Sequence, residues 1–362
     1  MLIQKFTTLF KDVTRQGTKI PKEEYLTHGK NIIIDQGQDI IAGYTNCEDG
    51  IFKKIPAIVF GDHTRIIKYV DTPFFLGADG VKVLKCTDKN ANYRYLYYAL
   101  KNAHIPNTGY NRHFKWLKEI TINYPDKNKQ NDIVNILDKL EYIIKIRSQE
   151  LDKFDELIKA RFVEMFGDPV QNSLNKPMVK LESLGDWKSG GTPARSNPNF
   201  YDGNINWFSA GELDSLYLSK SKEKITEEAV RKSSTKLFAK GSMLIGMYDT
   251  AAFKMGILKE PSCANQACAN IRANEKINVI WLYYELQAMK KYFLNQRHGV
   301  RQKNLTLKMI KQFEIPYFDL SLQNEFSNFV QQVDKSKFEN IVYLNKTLSM
   351  KILGQLGDVF RD

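Results

Sequence analysis

A chain of 362 residues that is 43% hydrophobic and 12% aromatic is long enough to bury more than one core, and its composition gives no case for disorder. Its 53 Lys and Arg against 41 Asp and Glu give a net charge of +12, which suits a polyanionic partner without separating DNA from RNA or an acidic membrane. Four cysteines (Cys47, Cys86, Cys263, Cys268) make no disulfide framework, the last two have no second Cys or His pair with which to form a zinc site, and no apolar run approaches the roughly 18 residues of a membrane span, so a reducing, cytoplasmic setting is expected.

In chain order, short β-rich runs come first: Ile32 to Ile34, Ile40-Ile41, Ala57 to Phe60, Ile66 to Val70 and Val81 to Leu84, cut by Gly, Asp, Asn and Pro. An amphipathic helix is predicted around Tyr93 to Lys101. From Gln130 to about Phe166 the apolar residues Ile133, Leu137, Leu140, Ile144, Leu151, Phe154, Ile158 and Met165 recur at alternating steps of four and three, which predicts one continuous helix that packs on another helix. At 1.5 Å per residue it would be roughly 50 Å long. Gly167-Asp168-Pro169 stops it, because Gly takes the left-handed cap and Pro cannot continue the ladder.

A second series follows: strands at Ile205 to Phe208, Met243 to Ile245, Gly256 to Leu258 and Ala269 to Ile271, then a helix around Val279 to Phe293. A second long stripe runs from about Ser321 to Leu356 through Phe326, Val330, Val333, Ile341, Leu344, Leu348 and Ile352, interrupted near Asp334 to Lys337 and ending at Gly357-Asp358. Each long helix has one narrow apolar seam, so the two are expected to bury those seams on each other. Packing of each helix on its own globular domain is the arrangement that periodicity leaves open.

The chain is written twice. Tyr95-Leu-Tyr-Tyr-Ala-Leu100 returns as Trp281-Leu-Tyr-Tyr-Glu-Leu286, and each copy is followed by a glycine (Gly109, Gly299), a Leu-Lys-x-Ile element, a proline (Pro125, Pro316) and a Gln-Asn pair that opens the long helix (Gln130-Asn131, Gln323-Asn324). Upstream, Gly17-Thr18, Gly29 and Gly37 match Gly191-Thr192, Gly203 and Gly211 at one constant offset, which then grows through insertions. Such a period is too long for a solenoid. The expected fold is α/β (α+β), with two homologous domains, two long helices and a pseudo-two-fold internal repeat.

Catalytic motifs are absent from the sequence: there is no Gly-x4-Gly-Lys-Ser/Thr phosphate loop, no Gly-x-Gly-x-x-Gly turn and no His-Glu-x-x-His. Asn123-Tyr-Pro-Asp126 only faintly matches the Asn-Pro-Pro-Tyr motif of adenine methyltransferases and reads better as a strand end. The five histidines show no ligand spacing.

Four features together carry a family resemblance. They are Gly191-Thr-Pro193 near a domain start, Tyr201-x-Gly203-x-Ile205-x-Trp207, the Gly299-x-x-Gln302-x-x-Leu305 turn before a strand ending in Pro316, and the Gln-Asn helix start; Phe166-Gly-Asp-Pro169 fits too. With these the chain resembles the specificity subunit of Type I restriction-modification systems. The first half departs from the pattern, with Arg112 where the glutamine should stand. The resemblance implies a non-catalytic reader of double-stranded DNA, whose two target recognition domains each read half of a split, asymmetric site. Two antiparallel helices would serve as spacer, giving domains 1–127 and 168–318 and helices 128–167 and 319–362. It also implies two modification subunits that hold S-adenosylmethionine, restriction subunits that use ATP and Mg, and no cofactor or metal in this chain. A coiled-coil adaptor that binds only protein and, less favoured, a fused DNA methyltransferase are the competing functions.

Candidate base readers are long polar side chains on loops between strands: Gln36, Gln38, His63, Thr64, Arg65 and Arg112 in the first domain, and Arg195, Tyr248, Asp249, Thr250, Lys254, Arg301, Gln302 and Lys303 in the second. For each the alternative is a solvated loop position or a phosphate contact, and Arg301 and Lys303 are assigned to phosphate. In Tyr97-Tyr98 and Tyr283-Tyr284 one ring of each pair is expected in the core rather than stacked on a base. The outward helix faces, including Lys139, Arg147, Glu150, Asp155, Lys159 and Lys335, are expected to be solvated, with part of them binding the modification subunits.

Overall fold

The computed structural model describes residues 3–77, 79–296 and 304–360, and no side chain beyond Val342. The chain divides into two compact units, one of residues 1–148 with 343–362 and one of residues 149–342. In chain order the first holds β1 (Ile3–Lys5), the single turn α1 (Phe6–Leu9), β2 (Phe10–Asp12), β3 (Asn31–Ile34), β4 (Gly43–Thr45), β5 (Ala57–Gly61), β6 (Ile67–Val70), β7 (Phe74–Leu76), β8 (Val81–Cys86), α2 (Tyr93–Lys101), α3 (Phe114–Leu117) and β9 (Thr121–Asn123). The long helix α4 (Lys127–Phe166) follows. Beyond it come β10 (Met178–Lys180), β11 (Gly185–Ser189), β12 (Ile205–Phe208), β13 (Tyr217–Leu218), β14 (Glu223–Ile225), α5 (Glu227–Arg231), β15 (Met243–Gly246), β16 (Met255–Leu258), β17 (Cys263–Ala264), β18 (Cys268–Ala273), α6 (Val279–Asn295), α7 (Leu307–Gln312), β19 (Glu314–Pro316) and α8 (Leu320–Phe360).

The repeat seen in the sequence is a repeat of topology. The main sheet is ordered β2-β8-β5-β6 in the first copy and β11-β18-β15-β16 in the second, where β13 is added to the edge. A smaller sheet is β4-β3-β7 or β14-β12-β17, and in both its central strand pairs parallel to one neighbour and antiparallel to the other. The strand pairs β1-β9 and β10-β19 complete the correspondence.

Strand alternation explains why one sheet serves two cores. Successive side chains of a strand point to opposite faces, and in β5 Ile58 and Phe60 face α2, where they pack with Leu84, Tyr95, Leu96 and Leu100. Ala57 and Val59 face the other way, onto Phe52, Phe74, Leu76 and Val83. All four residues are fully buried. In the second copy Met243 and Ile245 share a core with Trp281, Leu282 and Leu286 of α6, while Leu244 faces Phe208, Leu218 and Phe238. Cys263 and Cys268 are free, lie in different cores, and burial pushes each thiol up to about 12.

One joint is built the same way in both copies. Asn92 caps α2, its side chain accepting from the N–H groups of Arg94 (3.0 Å) and Tyr95 (3.2 Å), which are donors a helix start leaves without partners. The Asn92 N–H donates to Gln130 Oε1 (3.1 Å), Gln130 Nε2 donates to the Pro125 carbonyl (2.8 Å), and Asn92 Nδ2 donates to Asn131 Oδ1 (2.9 Å). In the second copy Asn278 caps α6 and donates to Gln323 Oε1 (2.8 Å) and Asn324 Oδ1 (2.8 Å), and Gln323 Nε2 donates to the Phe318 carbonyl (2.7 Å). Gln130 and Gln323 are both buried. The Gln-Asn pair is therefore the latch between the sheet-covering helix and the long helix.

Within residues 149–342 the seam of α4 serves both arrangements the periodicity allowed. Phe162 and Phe166 lie 5.4 and 5.5 Å from Phe326 of α8, and Phe166 also meets Trp281 of α6 and Phe318. Arg161 pairs with Glu325 (2.9 Å) and Asp155 with Lys337 (2.5 Å), so these stretches of α4 and α8 run antiparallel.

The polar stretch Asp334 to Lys337 interrupts the apolar stripe but not helix α8, where Lys337 meets Asp155. Two expectations need correction. Helix α8 continues past Gly357-Asp358 to Phe360. Ile40-Ile41 form no strand and are exposed (65% and 38%), because an isolated apolar pair has no alternation to set against a sheet.

Where the first copy has Ala99 in the Leu-Tyr-Tyr helix, the second has Glu285, fully buried, with both carboxylate oxygens lacking a hydrogen-bond partner among the described residues. Burial pushes its carboxyl up to about 8. A carboxyl whose folded value is raised supports stability below the ordinary value of 4.5 and loses that support as pH climbs towards 8. Urea titrations should therefore show the wild type losing a few kcal/mol more stability between about pH 5 and pH 8 than Glu285→Gln; equal pH slopes would contradict the burial. Gln323→Ala should cost about 1–3 kcal/mol in the same assay, since it strands the buried Asn278 N–H and Phe318 carbonyl, and Asn278→Ala about 1 kcal/mol as a lost cap.

Candidate nucleic-acid interface

The turn joining β5 to β6, and its counterpart joining β15 to β16, share one backbone frame. In the first, Gly61 N–H donates to Ile66 O (2.8 Å), Arg65 N–H to Gly61 O (2.8 Å), Asp62 N–H to Gly80 O (2.7 Å) and His113 N–H to Asp62 O (2.8 Å). In the second, Gly246 N–H donates to Lys254 O, Phe253 N–H to Gly246 O, Met247 N–H to Ala267 O and Leu305 N–H to Met247 O, all at 2.8 Å. Each turn contains one non-glycine residue in the left-handed region, Arg65 (φ 63°) or Phe253 (φ 57°), a conformation that persists only where its surroundings over-determine it. A Cβ at Gly246 would lie 2.2 Å from the Ala251 carbonyl oxygen, which makes that glycine obligatory, while one at Gly61 would displace the Thr64 hydroxyl (2.2 Å) and press on Gln36 Cβ (2.9 Å).

What fills the frame differs. In the first copy it holds Asp62-His63-Thr64, and most of that domain's candidate readers converge there. Gln36 Oε1 accepts from His63 N–H (3.1 Å), the Thr64 hydroxyl donates to Gln36 O (2.6 Å), and Gln36 Nε2 donates to Asp79 O (3.1 Å). The Gln36 amide thus holds the turn, and Arg65 Nη1 ties it to Ile105 O (3.1 Å). Arg112 and Gln38 are exposed, Arg112 on the loop that precedes α3 and Gln38 just beyond β3.

That preceding loop is the second half of the site, and two of its residues were not singled out from sequence. His113, fully buried, bonds Asp62 O through its ring Nδ1 (3.0 Å), and Phe114 N–H donates to Asp62 Oδ1 (2.7 Å). Tyr110 stacks flat on His63, with ring centroids 4.8 Å apart and planes 9° apart, yet is 88% exposed. The signal was available: Tyr110 is an aromatic in a polar loop directly after Gly109, where no core position is expected.

In the second copy the frame holds Met247 to Ala252. Tyr248 (41%) and Thr250 are exposed, and Lys254 Nζ reaches the Gly211 carbonyl (3.1 Å). Asp249 occupies the turn. Arg301, Gln302 and Lys303 lie outside the described residues.

Arg195 does not join this group. Its guanidinium grips Glu223 with both terminal nitrogens (2.6 and 2.8 Å) and lies over Tyr201 (4.3 Å) and Trp207 (5.0 Å), beside the smaller sheet; hydrogen bonding to Arg195 holds the Glu223 carboxyl below its ordinary value. The glycine and aromatic motif around it is packing: Trp207 Nε1 donates to Gly191 O (3.0 Å) and the Tyr201 hydroxyl to Pro193 O (2.6 Å). A Cβ at Gly203 would strike the Ile225 carbonyl at 2.1 Å. Of the tyrosine pairs, Tyr98 is buried and bonded to Asp138 (2.6 Å), while Tyr284 packs on Phe326 (5.3 Å). Among the described residues no three His, Cys, Asp or Glu gather as metal ligands, and no helix is long and apolar enough to cross a membrane.

Comparison with known proteins matches this duplicated architecture. The Type I restriction modification DNA specificity domain fits the chain twice, over residues 8–154 and 175–349. The chain is 28% identical over 325 residues to the specificity subunit of the Type I restriction enzyme EcoR124I/EcoR124II of Escherichia coli, covering 84% of this chain and 78% of that one. Against the MjaIX specificity subunit of Methanocaldococcus jannaschii it is 26% identical over 160 residues, 43% of this chain and 37% of that one. Among solved structures, the S subunit of a Type I restriction-modification system from M. genitalium shares the fold at a TM-score of 0.61 and 18% identity, covering 100% of this chain and 96% of that one. A chain solved in work on the assembly of the type I R-M system does so at 0.55 and 14%, covering 97% and 95%. Two copies of one topology, each matched by the same domain, place this chain in the Type I restriction-modification DNA specificity family.

Proposed function

We propose that this chain reads a bipartite, asymmetric site on double-stranded DNA, each copy reading one half through its hairpin turn and the loop before its α3 or α7. The observation that carries this reading is the shared turn frame with unlike contents. Identical hydrogen bonds at Gly61 and Gly246 present Asp62-His63-Thr64 in one copy and Met247 to Ala252 in the other. A fixed frame with exchangeable side chains is what two related readers of different sequences need. Gln36, with its amide committed to the turn, acts as a support, and His63, Thr64, Arg65, Arg112, Tyr248, Thr250 and Lys254 are the residues offered to DNA.

The excess of Lys and Arg supplies phosphate contacts and makes binding fall with salt. In this reading segments 1–127 and 168–318 are the target recognition domains, and 128–167 and 319–362 are the spacer helices. The forty residues of α4 span roughly 60 Å, so helix length sets the gap between half-sites. Two modification subunits, carrying S-adenosylmethionine, dock on the long helices; restriction subunits, which use ATP and Mg, join them, and the assembly works in the cytoplasm. This chain itself forms and breaks no bonds.

Co-expression with a Type I modification subunit, followed by mapping of methylated adenines across the host genome, tests the reading. A split motif with a constant gap is expected. A continuous motif, or no methylation, would overturn the two-reader assignment and favour a protein-binding adaptor.

A further inference from the structure

The two copies handle one charged site differently. In the first, α2 and α4 are bridged by the Arg94 guanidinium, which bonds Asp138 (Nε at 3.1 Å), approaches Glu141 (3.4 Å) and donates to the Tyr98 hydroxyl (2.9 Å). Its plane lies about 5 Å from the ring centres of Tyr97 and Tyr98. Lys101 adds a second cation at 3.0 Å from Glu141. Two acids, two cations and the tyrosines satisfy one another.

The latch fixes the register of the second copy, since Asn92 corresponds to Asn278 and Gln130 to Gln323. It puts Tyr283 and Tyr284 where Tyr97 and Tyr98 stand, and Asp334 where Glu141 stands. Both cations are gone, Ile280 standing for Arg94 and Gln287 for Lys101, and of the two acids only one remains, since Gln331 stands for Asp138. In their place is a cavity of about 760 Å³ lined by Tyr283, Tyr284, Gln287 and Asp334, with the acids Asp155 and Asp214 and the lysines Lys159 and Lys337 also at its wall. Asp334 Oδ2 is buried there without a hydrogen-bond partner among the described residues. Lys337 is bonded to Asp155 at 2.5 Å and stands 3.9 Å from Asp334. In the first copy the counterpart cavity, about 500 Å³, has Arg94 and Lys101 themselves in its wall.

We infer that the cavity of the second copy is a receptor for a guanidinium, filled by an arginine side chain of the modification subunit that docks on α4 and α8. The occupant rests on the docking read above; the receptor itself rests on this chain alone. The arginine pairs with Asp334 Oδ2 and lies against Tyr283 and Tyr284, as Arg94 lies against Tyr97 and Tyr98. Burial already pushes the Asp334 carboxyl up, the state of an acid whose counter-ion is incomplete. The first copy carries its own cation, so the two docking sites of this chain are chemically unlike.

Arginine amide, with lysine amide as control, is the probe for the purified full chain by titration calorimetry. Saturable binding of arginine amide is expected, weakened at least tenfold by Asp334→Asn and by Gln287→Lys, which restores the lysine of the first copy. Circular dichroism establishes that both variants fold. The same two substitutions should weaken capture of the modification subunit at least tenfold. No binding of arginine amide, equal binding of lysine amide, or unchanged binding in both variants would overturn the receptor. Binding that is lost in the variants while capture is unchanged would overturn the occupant. Either result is independent of whether the methylated motif is split.

Discussion

A buried glutamine at the start of each long helix is the interaction on which the rest depends. Gln130 and Gln323 each accept from the N–H of the asparagine that caps the sheet-covering helix and donate to the carbonyl five residues upstream. A buried amide left half-satisfied costs about 1–3 kcal/mol, so each latch closes in one geometry and holds α2 to α4, or α6 to α8, at a set register. Everything that distinguishes the copies is arranged around these points.

From the latch the logic runs outward to the sheets and then to the turns. Each main sheet is covered on one face by the latched helix and on the other by the smaller sheet, so its central strand is buried on both sides. Where that strand ends, the glycine of the turn, the left-handed residue and the four backbone hydrogen bonds recur in both copies. The side chains presented between Gly61 and Ile66 and between Gly246 and Lys254 then differ between the copies. Membership of the Type I restriction-modification DNA specificity family gives this division its meaning: a constant frame and exchangeable contents.

Much of this was legible in the sequence, and the failures have physical causes. The long helices were visible because a seam at steps of three and four cannot be confused with a strand, and because Gly167 and Pro169 punctuate the first. The Gln-Asn pair was visible as a repeated motif, but its task depends on an asparagine some forty residues away in sequence, which no local pattern reveals. Strand order was not legible, since β5 pairs with β8 and β3 with β7 across intervening segments. The pairing of Arg195 with Glu223 was not legible, since the two lie 28 residues apart in sequence. The burial of Glu285 was not legible, since no local pattern marks a lone acid in the repeated helix as enclosed. The ion pair that Lys337 makes with Asp155 inside the polar stretch Asp334 to Lys337 is a partner that the periodicity of apolar residues cannot reveal.

The central claim is that each turn reads its own half of the site while the latches hold the geometry constant. It is tested most directly by replacing His63, Thr64, Arg65 and Tyr110 together with alanine, leaving Gln130 and Asn92 intact, and mapping the methylated motif beside that of the parent chain. The account predicts relaxed or altered bases in one half of the motif only, with the other half and the gap unchanged. A change in the gap, or in both halves, would contradict it.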